Sequence, residues 1–382
     1  MSNATNQLYK KLDQAHQRLK TTTSSEEKLA IANYIGNLYS SLICMGEDVS
    51  FDKKTSFGSL KNYKKFIKKL NNYSDRLIYN YLVNQEFHKD FISEIIPDVE
   101  EELQEVFDLP YTMEESILRK REFNEILFEF MKSIHQDQLL QDLYRRDKIH
   151  PCFIGQEEDN LGFALYNPMD GDCDIFIRDF DYNFRTMQTL VHELGHAIDF
   201  RLFHGTVKDY NEYFYCSFYG EVISRLMERL LLRFLIHNKI YIDESKEKYI
   251  EFEDLNHDYL LQAYIMSLLD QQTIVKGEYM ECNEDEIINQ IQKHFIDGVD
   301  LTDVVERMNE SDLSQIYNYT YGDILSLFLC DEIENNGYSS DLFEYFLSHR
   351  TKPFHEKFLR ECGFGPVDYV KKYKKELNVL KN

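Results

Sequence analysis

Apolar residues recur every three or four positions through most of the chain, and this spacing predicts a succession of amphipathic helices. Before residue 150 these fall at roughly 5–20, 25–46, 58–72, 75–95, 98–107 and 113–135. Ser24 with Glu27, and Thr112 with Glu115, have the Ser/Thr-x-x-Glu spacing of a capping box, which places helix starts there. Helical spacing returns near 184–204, 210–237, 255–274, 284–297, 300–308, 321–335, 340–348, 352–361 and 366–379. Between the two halves the period changes. Residues 161–166 and 173–178 are short runs rich in strand-favouring side chains, separated by a segment whose Pro168 and Gly171 mark a turn. The pattern therefore predicts a mainly α protein with one small antiparallel β-hairpin. That hairpin directly precedes the helix at 184–204, so it is placed to border a cleft and to offer backbone groups to an extended peptide.

Composition narrows the possibilities. With 382 residues the chain can bury a large core, and we expect an N-terminal helical subdomain at 1–148 and a catalytic domain at 149–382. The absence of Trp beside 27 Tyr and 27 Phe, with 6 Pro, suits long helices cored by aromatic and aliphatic side chains. Lys and Arg number 43 against 67 Asp and Glu, a net charge of −24 that repels phosphate backbones and anionic membranes. Nucleic acid and membrane are thus excluded as expected partners. The 61–69 basic cluster reads as a solvated helix face. Seven scattered cysteines with no Cys-x-x-Cys pair suit reduced thiols, and no apolar run approaches the length of a membrane span or a signal segment. The expected setting is the cytoplasm. The sequence leaves the oligomeric state open.

Residues 192 to 196 read His-Glu-Leu-Gly-His. On a helix, His192 and His196 lie one turn apart on one face, so both imidazoles can reach a single tetrahedral zinc ion. Glu193 then sits beside the metal, placed to take a proton from a water molecule. A catalytic zinc needs a third protein ligand, and Glu221 is the best candidate. It lies 25 residues past His196, enough to end one helix and return on another. Asp199 is too close to His196, and the acids near Asp254 belong to another helix. Glu228, two turns beyond Glu221 on the same face, is placed to accept a hydrogen bond from the far nitrogen of a ligand histidine.

The stretch from Gly162 to Glu228 resembles the catalytic core of the thimet oligopeptidase and oligoendopeptidase F family of gluzincin metallopeptidases. The resemblance is carried by Gly162-Phe163, Ile175-Phe176-Ile177, the 192–196 motif, and Glu221, Ser224 and Glu228. It implies a zincin-like helical fold around a channel for short peptides and one zinc per chain held by His192, His196 and Glu221. It also implies Glu193 as general base, Ser224 and Glu228 as supporting residues, and Gly162, Phe163, Ile175 and Phe176 at the substrate. Tyr317, Tyr319 and Tyr321 resemble the family's tyrosine stretch, which implies an oxyanion donor among them. Two departures stand out. Position 311 is Ser where the family pattern has a histidine, and about 190 residues precede the metal motif, fewer than in that family. From the second we expect a reduced N-terminal lobe and a more open cleft.

The function expected is that of a zinc-dependent endopeptidase acting on internal bonds of short peptides. Two alternatives stand beside it: a peptide-binding protein without catalysis, and a carboxypeptidase-like enzyme using a cation such as Arg178 or Arg185 to hold a terminal carboxylate.

Overall fold

The computed structural model describes residues 3–45, 47, 86–107, 116–152, 161–178, 180–203, 220–268, 288–289, 292, 301–302, 304–305, 313–337 and 365–381. The described residues are mainly helical. In chain order they form α1 (Asn3–Thr21), α2 (Ser25–Cys44), α3 (Glu86–Phe107), α4 (Lys120–Ser133) and α5 (Asp137–Arg145). Then follow β1 (Ile149–Cys152), β2 (Gly162–Asn167), β3 (Asp172–Arg178), α6 (Phe184–Phe203), α7 (Gly220–His237), α8 (Ile242–Leu268), α9 (Leu313–Asn336) and α10 (Pro366–Lys381).

The helix start at Ser24 forms as expected, since its hydroxyl accepts the Glu27 N–H at 3.3 Å. The Thr112 capping box and the 61–69 basic cluster lie outside the described residues. Residues 86–107 make one helix where two were expected, because Pro97 lies on the exposed face. The opposite face buries Ile92, Ile95, Ile96, Val99 and Leu103, at about 1.5–3 kcal/mol for each large apolar side chain. That outweighs the hydrogen bond lost at one proline.

The hairpin also forms, with Phe163 opposite Phe176 and Ala164 opposite Ile175 across antiparallel β2 and β3. The sequence did not reveal its third strand. β1 pairs parallel to β3, Ile149 opposite Ile175, so the order is β1-β3-β2 and β3 is central. Four residues with Pro151 among them carry too little alternation to be read as a strand.

One core joins α3–α5, β3 and α6–α10, while a second cluster packs α1 and α2 against Cys152, Leu165 and Phe176 of the sheet. Helices on both sides of residue 148 share the first of these cores. Helix α7 runs through its middle and is buried on nearly every face from Val222 to Leu232. Its charged residues are therefore paired within the core. Arg229, with no exposed surface, bonds both Glu253 and Asp323, and Asp323 Oδ2 accepts a further bond from the Tyr369 hydroxyl at 2.8 Å. Cys152, Cys173 and Cys330 are buried. Among the described residues no helix is long and apolar enough to cross a membrane.

His257, partly buried on α8, gives the fold a pH dependence. Its Nε2 has no hydrogen-bond partner among the described residues, and burial lowers its pKa from 6.5 to about 4. The unfolded chain then takes up the proton before the folded one does. The histidine's contribution is whole above pH 6.5 and is lost as the pH falls towards 4, at most about 3 kcal/mol. We expect His257→Leu to remove that part of the decline. Urea midpoints measured at pH 7 and pH 5 should lie closer together in the variant than in the native chain, and equal shifts in both would contradict it.

Candidate metal centre

Helices α6 and α7 pack against each other along the segment that carries the His-Glu-Leu-Gly-His motif, and Gly195 sets how closely they approach. A Cβ at Gly195 would lie 2.5 Å from Ser224 Cα and 2.8 Å from Ser224 N, inside the backbone of α7. Glycine here is thus a requirement of packing. Helix α9 approaches α7 from another side, where a Cβ at Gly322 would lie 2.9 Å from Glu221 Cβ. Two glycines therefore bring three helices together around Glu221.

The consequence is a triangle of ligand atoms. His192 Nε2 and His196 Nε2 lie 3.2 Å apart, and Glu221 Oε2 lies 3.2 Å from the first and 3.6 Å from the second. For bonds of about 2.0–2.1 Å, the edge of a tetrahedron around zinc is about 3.3–3.4 Å. The three edges bracket that value. Among the described residues this trio is the His, Cys, Asp and Glu group whose ligand atoms all lie within 4.8 Å of one another. The side chains of His192, His196 and Glu221 are 13%, 16% and 17% exposed, so solvent or a substrate can reach a fourth position.

The surrounding bonds suit a cation. Glu228 Oε2 lies 2.9 Å from His192 Nδ1, and Glu228 Oε1 accepts from Gln188 Nε2 at 3.1 Å. Burial raises the Glu228 carboxyl, but Arg225 and His192 outweigh it and keep it ionised. An ionised carboxylate only accepts, so Nδ1 carries a proton and Nε2 is the nitrogen left to face Glu221 and a bound cation. Burial likewise raises Glu221, yet the facing imidazoles and the Ser224 hydroxyl, 2.8 Å from Oε2, hold it well below the ordinary carboxylate range. Burial lowers the His192 imidazole, but Glu228 and Glu221 outweigh it and raise it well above its ordinary pKa, so a proton joins these atoms in the metal-free chain and a divalent ion would take its place. The donor set of two imidazoles and a carboxylate fits a divalent ion such as zinc.

Glu193 is 5% exposed, and its Oε2 has no hydrogen-bond partner among the described residues. Burial pushes its carboxyl above the usual range, with the two imidazoles opposing. An unsatisfied buried carboxylate beside a ligand triangle is a group waiting for a proton donor.

The tyrosines separate. They lie within α9, which begins at Leu313, earlier than the helix expected from 321. The Tyr319 ring is nearly parallel to the His192 imidazole, 17° and 6.4 Å between centroids, and it stacks on Tyr259 at 4.6 Å. Burial, reinforced by Glu221, pushes its phenol well above its ordinary pKa, so the hydroxyl keeps its proton. Tyr321, two residues further, projects from nearly the opposite side of the helix and has no exposed surface within the core. The side chain of Tyr317 lies outside the described residues.

The hairpin residues separate as well. Ile175 and Phe176 have no exposed surface, and both edges of their strand are paired, so they pack the sheet and have no free backbone to offer a peptide. Gly162 and Phe163 lie on β2, which pairs with β3 along one edge only among the described residues. A Cβ at Gly162 would lie 3.0 Å from Thr189 Cγ2 on α6, and Phe163 stacks on Phe176 at 4.8 Å. β2 is thereby held against α6. Arg185 is exposed and Arg178 is half-buried at the end of β3.

Sequence reading did not place Gln188, Asn256 or Tyr259 at the site, and gave Arg225 only as a candidate partner of Glu221. Gln188 carried a usable signal, since it lies one turn before His192 on the same helix face. Arg225 lies three residues before Glu228 on the same helix, also a local spacing, whereas Asn256 and Tyr259 lie on α8, whose approach no local spacing encodes.

No family model matches the chain, and no curated protein matches it. Among solved structures, the chain is similar to that of a candidate oligoendopeptidase F from Bacillus anthracis str. Ames, at 13% identity and a TM-score of 0.45. The match covers 93% of this chain and 65% of that one, so this chain spans less than two thirds of the other's length.

Proposed function

We propose that the chain is a zinc-dependent metalloendopeptidase of the cytoplasm that hydrolyses internal bonds of short peptides. The observation that carries this reading is the triangle of His192, His196 and Glu221 at tetrahedral spacing, beside the buried and unsatisfied Glu193. The motif and its spacing to Glu221 and Glu228, which resemble the oligopeptidase core, support it.

A divalent cation bound there supplies a Lewis acid, which polarises a substrate carbonyl and lowers the pKa of an attacking water. Glu193 takes the proton from that water. The same carboxyl, raised by burial, then returns it to the leaving amine. Tyr319, kept protonated, donates its hydroxyl to the negative charge that develops on the carbonyl oxygen. Glu228 holds His192 with Nε2 turned inwards. An extended peptide adds along the edge of β2 that is unpaired among the described residues, where main-chain bonds orient it without demanding a particular sequence.

The purified chain should cut a library of internally quenched peptides, lose that activity on chelation, and regain it on adding zinc. Free and amidated C-termini should be cut alike, whereas strong preference for a free carboxylate would favour the carboxypeptidase-like alternative. Peptide binding with no cleavage would contradict the enzyme reading.

A further inference from the structure

Arg225 is 2% exposed, and beyond keeping Glu228 ionised it has no role above. Its Nη1 donates to Glu228 Oε2 at 2.8 Å, the same oxygen that accepts from His192 Nδ1. Its Nη2 donates to Asn256 Oδ1, and Asn256 Nδ2 lies 3.4 Å from Glu253 Oε2, which ties the guanidinium to α8. The rings of Phe252 and Tyr319 lie 4.1 Å and 5.5 Å from its Cζ. One side chain therefore touches both the carboxylate behind His192 and the tyrosine whose ring faces the same imidazole.

We propose that Arg225 is a positioning residue that sets two parts of the centre at once: the orientation of His192 through Glu228, and the placing of Tyr319 beside the substrate. The proposal rests on the metallopeptidase reading above. Three donors fix the Glu228 carboxylate, and Arg225 is the one among them that is also anchored to a second helix. Without it, Gln188 and His192, both on α6, are the remaining donors to Glu228, so the carboxylate and the imidazole can shift together. Tyr319 loses its cationic neighbour in the same step. Lysine can return the charge to Glu228, but a point charge on a flexible stem cannot bond Glu228 and Asn256 together or lie flat against two rings. The two functions are thus separable by substitution.

The test uses the full chain loaded with cobalt(II), whose visible absorption reports ligand geometry, together with competition against a chelating dye and steady-state cleavage of a quenched peptide. In Arg225→Met we expect cobalt affinity to fall about 10- to 100-fold, with a changed absorption envelope and a lower kcat. In Arg225→Lys the affinity and envelope should return most of the way, while kcat stays low with KM little changed. An ion pair with a purely structural role would lower the melting temperature of both variants without moving the cobalt spectrum. A folded Arg225→Met with native affinity and spectrum overturns the proposal, as does full recovery of kcat in Arg225→Lys. Should Arg225→Met fail to fold, the kcat of Arg225→Lys decides alone. Native chain that shows the Arg225-dependent spectrum yet cuts no peptide refutes the peptidase reading and supports the role of Arg225 at His192.

Discussion

Glu193→Gln is expected to lower kcat by about 10²- to 10⁴-fold while leaving metal content and KM near their native values. The reasoning rests on what the substitution keeps. Glutamine has the shape of glutamate, and the three ligand atoms are contributed by His192, His196 and Glu221, so the metal has no reason to leave. What is lost is the capacity to accept a proton. Glu193 Oε2 is buried and without a partner among the described residues, so no local bond is sacrificed by the change. A variant that kept native turnover would show that another group takes the proton. A variant that lost its metal would show that Glu193 serves the ligand set rather than the chemistry.

Gly195→Ala is expected to weaken metal binding at least tenfold although position 195 supplies no ligand. An alanine Cβ would lie 2.5 Å from Ser224 Cα, against an optimal carbon–carbon separation of about 3.5–4.0 Å. Both atoms belong to helix backbones, so no side chain can turn aside. The helices must separate by roughly 1 Å. His192 and His196 ride on one of them and Glu221 on the other, and their ligand atoms now lie 3.2 Å and 3.6 Å apart across that interface. Overpacking of this kind costs typically about 1–3 kcal/mol of stability. Metal titration followed by thermal melting checks both effects. Native affinity in a folded Gly195→Ala would mean that the glycine is not what sets the spacing of α6 and α7.

These two substitutions mark how far the site was legible in the sequence. The convergence of His192 and His196 was readable because helix periodicity relates residues four apart without knowledge of the fold, and that of Glu221 because 25 residues suffice to end one helix and return on another. The hairpin was readable because strand alternation and a Pro–Gly turn are equally local. What stayed hidden depends on segments far apart in the chain. That Gly195 meets the backbone of Ser224, and that Gly322 meets Glu221, are facts about three helices converging, with no periodic trace. Arg225 is instructive in the same way. Its spacing allowed a pairing with Glu221 one turn away, yet the structure turns it to Glu228 and Asn256, because α8 supplies Asn256 and Phe252 on that side.

The tyrosines and the sheet show the limits from the other direction. Tyr319 and Tyr321 are equivalent as letters, but two residues on a helix point to opposite sides, so one faces His192 and the other fills the core. Ile175 and Phe176 were tied to the substrate by a motif, whereas the unforeseen β1 pairs with their strand and makes it central. Pro97 misled in a simpler way. A proline reads as a break, and burial of the opposite helix face carried α3 through it.

The most direct test is the zinc content of the native chain and of Glu221→Ala after equilibrium dialysis against micromolar zinc. About one zinc per native chain is expected, falling well below one in the variant. A native chain that holds no zinc, or a variant that holds it as tightly, would contradict a metal centre built from His192, His196 and Glu221.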